Sequence, residues 1–296
     1  MTVLAGFSAS RKGSAPVALA SQIARTTGED VVAAAVVERR MPVAVDPVED
    51  EYIAYVAVQA ERALLGAVDD VRGGPGVRVE VVQAPSIRDG LASAAAEHSA
   101  NLVTVGSSSS GVLGRIALGS VTEQLVHTAE VPVAIAPRGY QPGAVPITRL
   151  TAAFGGKADV NGLIKSAAEL SASWNVPLRV ASFNVRDVSG IMGTTDPAAA
   201  ENLVLQKWWT RTRDDIDQQL EEACHALATV TRPQIAVGVG RDWSSAVNDI
   251  DWQAGDMLLL GSGAAAQLQH VFLGTAAARI VRSSPVPVMI LPRGKE

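Results

Sequence analysis

Short apolar runs alternate with amphipathic stretches along this chain, and halfway through the alternation begins again. Residues 2–7 (TVLAGF) form the kind of apolar run found in buried parallel strands, and the mostly small and polar residues from Ser8 to Ser14 turn the chain. Pro16 suits the first turn of a helix to about Thr27, with Val17, Ala20, Ile23 and Ala24 on one face and Gly28 as its stop. Val31–Val37 reads as a second strand. From Asp46-Pro47 a longer helix carries Ile53, Val56, Ala60, Ala63, Leu64, Ala67, Val68 and Val71 at three- and four-residue spacing, until Gly73-Gly74-Pro75-Gly76 ends it. A strand over Val77–Gln83, a helix from Pro85-Ser86 and a strand over Asn101–Val105 follow. The spacing then predicts a helix capped by Ser120, with Glu123 closing a capping box, and a fifth strand over Pro132–Ala136.

Residues 137–148 (PRGYQPGAVPIT) are rich in proline and glycine, carry no periodicity and read as a linker. After them the order repeats: a strand over Leu150–Phe154, a helix with Ile164, Ala167, Ala168 and Trp174 on one side, and a strand over Pro177–Val185. A long helix from about Ala198 to Thr229, a strand over Gln234–Val239, a short helix over Trp243–Asp251 and a strand over Asp256–Leu260 continue it. A helix from Thr275 and a strand over Pro287–Leu291 complete the copy. Ala5 aligns with Ala152 and Gly106 with Gly261, so the second copy has gained a few residues, around the Asp187–Pro197 loop or its longer helix. The pattern predicts an α/β protein of two tandem, doubly wound, five-stranded parallel-sheet domains: residues 1–138, a linker at 139–148, and residues 149–296. Such sheets bind ligands beyond the carboxyl ends of their strands, where neighbouring connections diverge.

The loops at that end carry the candidate chemistry. Gly106–Ser120 (GSSSSGVLGRIALGS) follows the fourth strand of the first half, and Gly261–Thr275 (GSGAAAQLQHVFLGT) is its echo. A glycine at the end of a buried strand lets backbone approach a ligand closely, and a helix beginning at Gly119-Ser120 or Gly274-Thr275 presents amides and a dipole that favour an anion. The hydroxyl of Ser120 or Thr275 either caps its own helix or meets a phosphate oxygen. Arg115 lies within the first loop and is within reach of a phosphate, whereas the second loop has no Lys or Arg.

Composition narrows the field. The chain of 296 residues is 48% hydrophobic and 19% charged, with a net charge of −5 that gives no reason to expect nucleic-acid binding. No apolar run approaches a membrane span and the N-terminus lacks the pattern of a signal peptide, so a cytoplasmic protein without membrane partners is expected. Cys224, the single cysteine, shares an apolar helical stripe with Leu220 and Leu227. Four histidines have no metal-ligand spacing, and His270 alone falls in a glycine loop. No Gly-x-Ser-x-Gly elbow or Gly-x4-Gly-Lys-Ser/Thr loop is present, and Gly238-x-Gly240 lacks the third glycine of a dinucleotide fingerprint.

The loop resembles that of the universal stress proteins of the UspA type, whose nucleotide-binding members carry Gly-x2-Gly-x9-Gly-Ser/Thr before a helix and a Pro-Val-x-Val strand. Gly106, Gly119-Ser120 and Val131-Pro132-Val133-Ala134-Ile135 match it, as do Gly261, Gly274-Thr275 and Val286-Pro287-Val288-Met289-Ile290. The motif's second glycine is Ser109 here and Ala264 in the second copy, and the acidic residue usual after the first strand is Ser8 and Gly155. The resemblance implies an adenine nucleotide alpha hydrolase-like fold and a non-catalytic stress-response protein. ATP or AMP would be held by Ser8, Gly106, Ser109, Arg115, Gly119 and Ser120, and in the second copy by Gly261, Gly274 and Thr275, with Mg2+ only alongside ATP. It also implies self-association through the fifth strands, Val133–Ala136 and Val288–Leu291, as an internal pseudo-dimer, with a homodimer as a further level. Two other functions stay open: a weak ATP-hydrolysing or nucleotidyl-transfer enzyme, and a module that has lost nucleotide and acts through protein contacts.

Overall fold

The computed structural model describes residues 2–8, 13–39, 47–71, 76–155, 162–185, 206–207, 209–218, 221, 233–261 and 275–292. In the first half the order is β1 (Thr2–Phe7), α1 (Ala15–Thr27), β2 (Asp30–Glu38), α2 (Pro47–Asp69), β3 (Val77–Ala84), α3 (Ile87–Glu97), β4 (Ala100–Gly106), α4 (Ser120–Thr128) and β5 (Val133–Ala136). The second half runs β6 (Arg149–Phe154), α5 (Leu163–Trp174), β7 (Leu178–Val185), the helical residues 209–218 (α6), β8 (Gln234–Gly240), α7 (Trp243–Asn248), β9 (Asp256–Gly261), α8 (Thr275–Ser283) and β10 (Val288–Leu291).

The ten strands among the described residues form one sheet, in the order β3-β2-β1-β4-β5-β10-β9-β6-β7-β8. Every neighbouring pair is parallel except β5 and β10, which run antiparallel and join the halves, as the resemblance implied. Val133 faces Ile290, Ala134 faces Met289 and Ile135 faces Val288. The offset of 155 that relates Gly106 to Gly261 also relates Ala134 to Met289, so the internal two-fold passes through that pair. All eight residues of the two strands are buried. Closing these edges on each other removes two rows of unpaired backbone groups that would otherwise template association.

The helices divide by sheet face, and the two cores divide with them. Val3, Ala5 and Phe7 pack with Val17, Ile23, Ile53, Leu64, Ile164 and Ile216, placing α1, α2, α5 and α6 on one face. Leu4, Val103 and Val105 pack with Leu91, Leu125, Val247, Ile280 and Val281, placing α3, α4, α7 and α8 on the other. Each core runs through both halves. The structure thus has two sheet faces with one shared core apiece.

Element ends mostly follow the punctuation. Gly28 adopts φ 73° and its N–H donates to the Ala24 carbonyl, ending α1 as expected. Ser86 caps α3 by accepting from the Asp89 N–H. Two local readings are corrected. The cap of α4 is Gly119, with no side-chain hydrogen bond; Ser120 is the first helical residue, so Ser120 and Glu123 form no capping box. Helix α7 stops at Asn248, short of Asp251, and is capped by Asp242 through a capping box with Ser245. Of the long helix expected over 198–229, residues 209–218 are helical, while Cys224, His225, the 187–197 loop and the loop holding Ala264, His270 and Gly274 lie outside the described residues.

The stretch expected to be a linker is bound down. Ile147 is 2% exposed, its N–H donates to Thr26 Oγ1 at 2.8 Å, and the Tyr140 hydroxyl donates to Gln22 Oε1 at 2.6 Å. Gln22 also donates to the Ala254 carbonyl of the second half. This cover explains why α1 is buried on all sides from Pro16 to Ala24 rather than along one stripe.

Burial pushes the Tyr140 phenol up to about 12 from 10.0, against the opposing hydrogen bond to Gln22. A raised folded pKa means the stabilisation is whole below pH 10 and fades as pH climbs toward 12. Over that interval the wild type is expected to lose roughly 2 kcal/mol more than Tyr140→Phe. Urea unfolding of both proteins at pH 9 to 12 checks this, and parallel curves would refute it.

Candidate functional site

In the first half the strand order turns at β1 and β4. From β1 the chain crosses to β2 by α1, and from β4 it crosses the opposite way to β5 by α4. The divergence leaves a crevice beyond the carboxyl ends of these two strands. A cleft of about 300 Å3 occupies it, at the lower end of the size range of small-ligand sites. Its walls are Gly6 and Ser8 from β1 and its exit, Pro16 from α1, Gly106 and Ser109 from the glycine loop, and Arg138 after β5, among others.

Small residues make the crevice open. A Cβ on Gly106 would stand 3.3 Å from Pro16 Cγ, so a side chain there would press on the entrance of α1. That entrance is fixed by Thr104, whose buried hydroxyl donates to the Pro16 carbonyl at 2.9 Å.

The loop from Gly106 to Gly119 is built rather than slack. Ser107 Oγ accepts from the Ala117 N–H at 2.8 Å, and the Ser108 N–H donates to the Ala117 carbonyl at 2.7 Å. Ile116 is 2% exposed and anchors the loop in the core under α3, α4, α7 and α8. Positive φ falls at Gly114 (73°) and not at Ser109, so a serine in the place of the motif's second glycine carries no backbone strain.

Of the residues singled out from sequence, Ser8, Gly106 and Ser109 meet in the cleft. Gly119 and Ser120 start α4 and stand outside its lining, with the Ser120 side chain exposed and not used as a cap. Arg115 is directed away: its guanidinium donates to the Ser283 carbonyl at the end of α8 and to Asn248 Oδ1 at the end of α7 (3.0 Å). Its backbone stays with the site, since its carbonyl accepts from the Arg138 N–H at 3.0 Å.

Among the described residues, the cation on the cleft is Arg138. It donates to the Gly111 carbonyl at 2.6 Å, which uses one of its five N–H donors. Sequence reading passed over it because it opens a proline- and glycine-rich stretch with no periodicity. The signal was its place directly after β5, beside the end of β4.

In the second half Gly261 ends β9 and Thr275 begins α8, while Gly274 and the intervening loop lie outside the described residues. Gly261 faces Leu163, the first residue of α5, where Gly106 faces Pro16. No group of three or more His, Cys, Asp or Glu side chains among the described residues is arranged to hold a metal ion. Among the same residues, no helix is long and apolar enough to cross a membrane. His98 pairs with Glu80 at the end of α3.

Two five-stranded halves, each wound about a switch point and fused through their fifth strands, define a tandem α/β fold. The universal stress protein family model matches residues 1–137 and again 147–292, and the chain belongs to that family. A universal stress protein of Mycobacterium bovis is 30% identical over 301 residues, covering 99% of this chain and 100% of the relative. One from Mycobacterium tuberculosis matches to the same extent. Among solved structures, a universal stress protein from Archaeoglobus fulgidus superposes with a TM-score of 0.61 at 17% identity, over 99% of this chain and 98% of that one. A Pseudomonas aeruginosa protein gives 0.55 at 15% identity, over 98% and 92%.

Proposed function

We propose that the first half binds an adenine nucleotide, ATP or AMP, and that the protein acts in a stress response by holding this ligand rather than by turning it over. The carrying observation is the lining of the cleft. It offers one cation, Arg138, the hydroxyl-bearing Ser8 and Ser109, and no carboxylate among the described residues. That set suits the phosphates, while Pro16, Leu113 and Pro137 give the base or sugar apolar surface. Gly106 keeps the floor low, and the uncapped start of α4 at Gly119-Ser120 lies on the same loop, where a longer phosphate chain would extend. Mg2+ would accompany ATP only.

The first half is the better site on this reading. Ser8 supplies a hydroxyl where Gly155 has no side chain, and a proline borders Gly106 where a leucine borders Gly261.

Equilibrium titration of ATP and AMP into the full chain is the test. Arg138→Ala is expected to weaken ATP about 10- to 100-fold, the loss of one charge-assisted contact. Gly119→Val is expected to weaken it more than Gly274→Val. Incubation with Mg2+ and ATP is expected to release no ADP; steady turnover would favour the weak ATP hydrolase instead. No saturable binding to the wild type would overturn the proposal and leave a module that works through protein contacts.

A further inference from the structure

Helix α2 is apolar on two sides. Its inner side, with Ile53, Ala60, Leu64 and Ala67, is buried over β2 and β3. On the other side Val48, Tyr52, Tyr55, Val58 and Leu65 are 74, 64, 63, 44 and 47% exposed. At 3.6 residues per turn these five share a face opposite the inner stripe. They are five of the nine large hydrophobic side chains exposed among the described residues, so the stripe is a concentration and not a scatter. Neither the sheet nor the cleft uses it.

The charges along the stripe identify what covers it. Glu51 and Arg62 are exposed on the same face, three turns apart, and neither enters an ion pair among the described residues. A second α2 laid antiparallel, with a two-fold axis passing between Val56 and Ala57, sets Glu51 opposite Arg62 twice. The same axis sets Val48 opposite Leu65 and Tyr55 opposite Val58, again twice each. One register therefore satisfies both charges and most of the apolar stripe, which is the self-complementarity an isologous interface requires. A parallel pairing sets like charge against like. An anionic membrane surface is disfavoured, because α2 carries Arg62 against Glu49, Asp50, Glu51, Glu61 and Asp69.

We propose that α2 is the surface through which two copies of this chain associate, as an antiparallel helix pair with Tyr55 and Val58 at its centre and Glu51–Arg62 ion pairs on either side. The helix is about 35 Å long, so the interface belongs to the small class and dissociates on dilution. Because α2 lies over the β2–β3 end of the sheet, the pair places the first halves inside and the second halves outside. It is closed and does not propagate.

Sedimentation equilibrium of the full chain tests this without reference to nucleotide. The wild type is expected to approach twice 30.7 kDa at roughly 100 µM and to dissociate on dilution. Glu51→Arg and Arg62→Glu alone are each expected to weaken association about tenfold or more, and the combined swap to restore it. Tyr55→Glu is expected to leave a monomer. All these positions are exposed, and circular dichroism verifies that each variant keeps its helix content. A wild type that stays monomeric overturns the proposal and assigns the stripe to another partner. So does a combined swap no better than the single changes, or a dimer indifferent to Tyr55→Glu.

Discussion

Asp256→Ala is expected to destabilise the protein by about 3–5 kcal/mol, the range for removing one member of a buried ion pair. The Asp256 side chain is 1% exposed at the start of β9, where it joins Arg149 of the adjacent β6 and Arg179 of β7, one strand further on. Arg149 donates to both carboxylate oxygens, at 2.8 and 2.7 Å, and Arg179 donates to one of them at 3.3 Å. The Gln253 N–H adds a fourth bond at 3.0 Å. Arg179 is itself nearly buried, stacked over Trp252 at 4.8 Å, and its carbonyl partner on Asp251 is shared with Arg149. Burial, and then the charge of Arg149, hold the Arg179 pKa below its ordinary value, whereas the bond to Asp256 raises that of Arg149. Without Asp256, two cations would face each other with only the Asp251 carboxylate, which makes no ion pair with either, to offset them. Asp256→Asn keeps the shape and is expected to recover only a small part of the loss. Urea denaturation at neutral pH measures both, and a change below about 1 kcal/mol would mean that water already screens the cluster.

Gly238→Val is expected to lower stability by about 3 kcal/mol or more, which for a chain of this size is a fall of roughly 6–10 °C in melting temperature. A Cβ at Gly238 would lie 2.1 Å from the Ala246 carbonyl oxygen, and one at Gly240 would lie 2.3 Å from the Ala246 nitrogen. Both obstacles are backbone, so no side chain can swing aside. Helix α7 would have to lift from β8 and draw Val247 out of the core it shares with Ile280 and Val281. Gly66→Ala is the control. Gly66 is an exposed residue of α2 with nothing within 4 Å of its added Cβ, and alanine there is expected to be neutral or to stabilise by about 0.5–1 kcal/mol. Equal melting temperatures for Gly238→Val and the wild type would show that α7 is not seated as described.

This glycine pair illustrates what the sequence could and could not tell. As a dinucleotide fingerprint Gly238-x-Gly240 is incomplete; its purpose is the close approach of a helix, a tertiary fact with no local signature. Hydrophobic periodicity located the strands and helices well, because each buries a continuous run or stripe. The internal repeat carried further still, since one offset relates the two glycine loops and the residues paired across β5 and β10. Local reading failed where distant chain supplies the partner. Tyr140 and Ile147 looked like linker because Gln22 and Thr26, which bind them, are more than a hundred residues away. Ser120 looked like a cap because Gly119 offers no side chain to compete with it, yet the backbone places the glycine at the boundary. Gly119 and Ser120 stand outside the cleft lining, of which Ser8, Gly106 and Ser109 were legible from their spacing. The arginines were not, because a loop sequence does not say which way a long side chain turns.

Arg115 gives that last point a consequence. It sits in the loop that forms one wall of the first-half cleft, its backbone tied to Arg138 and its guanidinium tied to the last turns of α7 and α8. The wall of one half is thus moored to the other. On the proposed function, a ligand that draws on Arg138 and the loop would pull on that mooring. Free energy of this kind is reciprocal. On the same reading, affinity in the first half would then depend on how α7 and α8 sit in the second, whether or not the second half holds a ligand of its own.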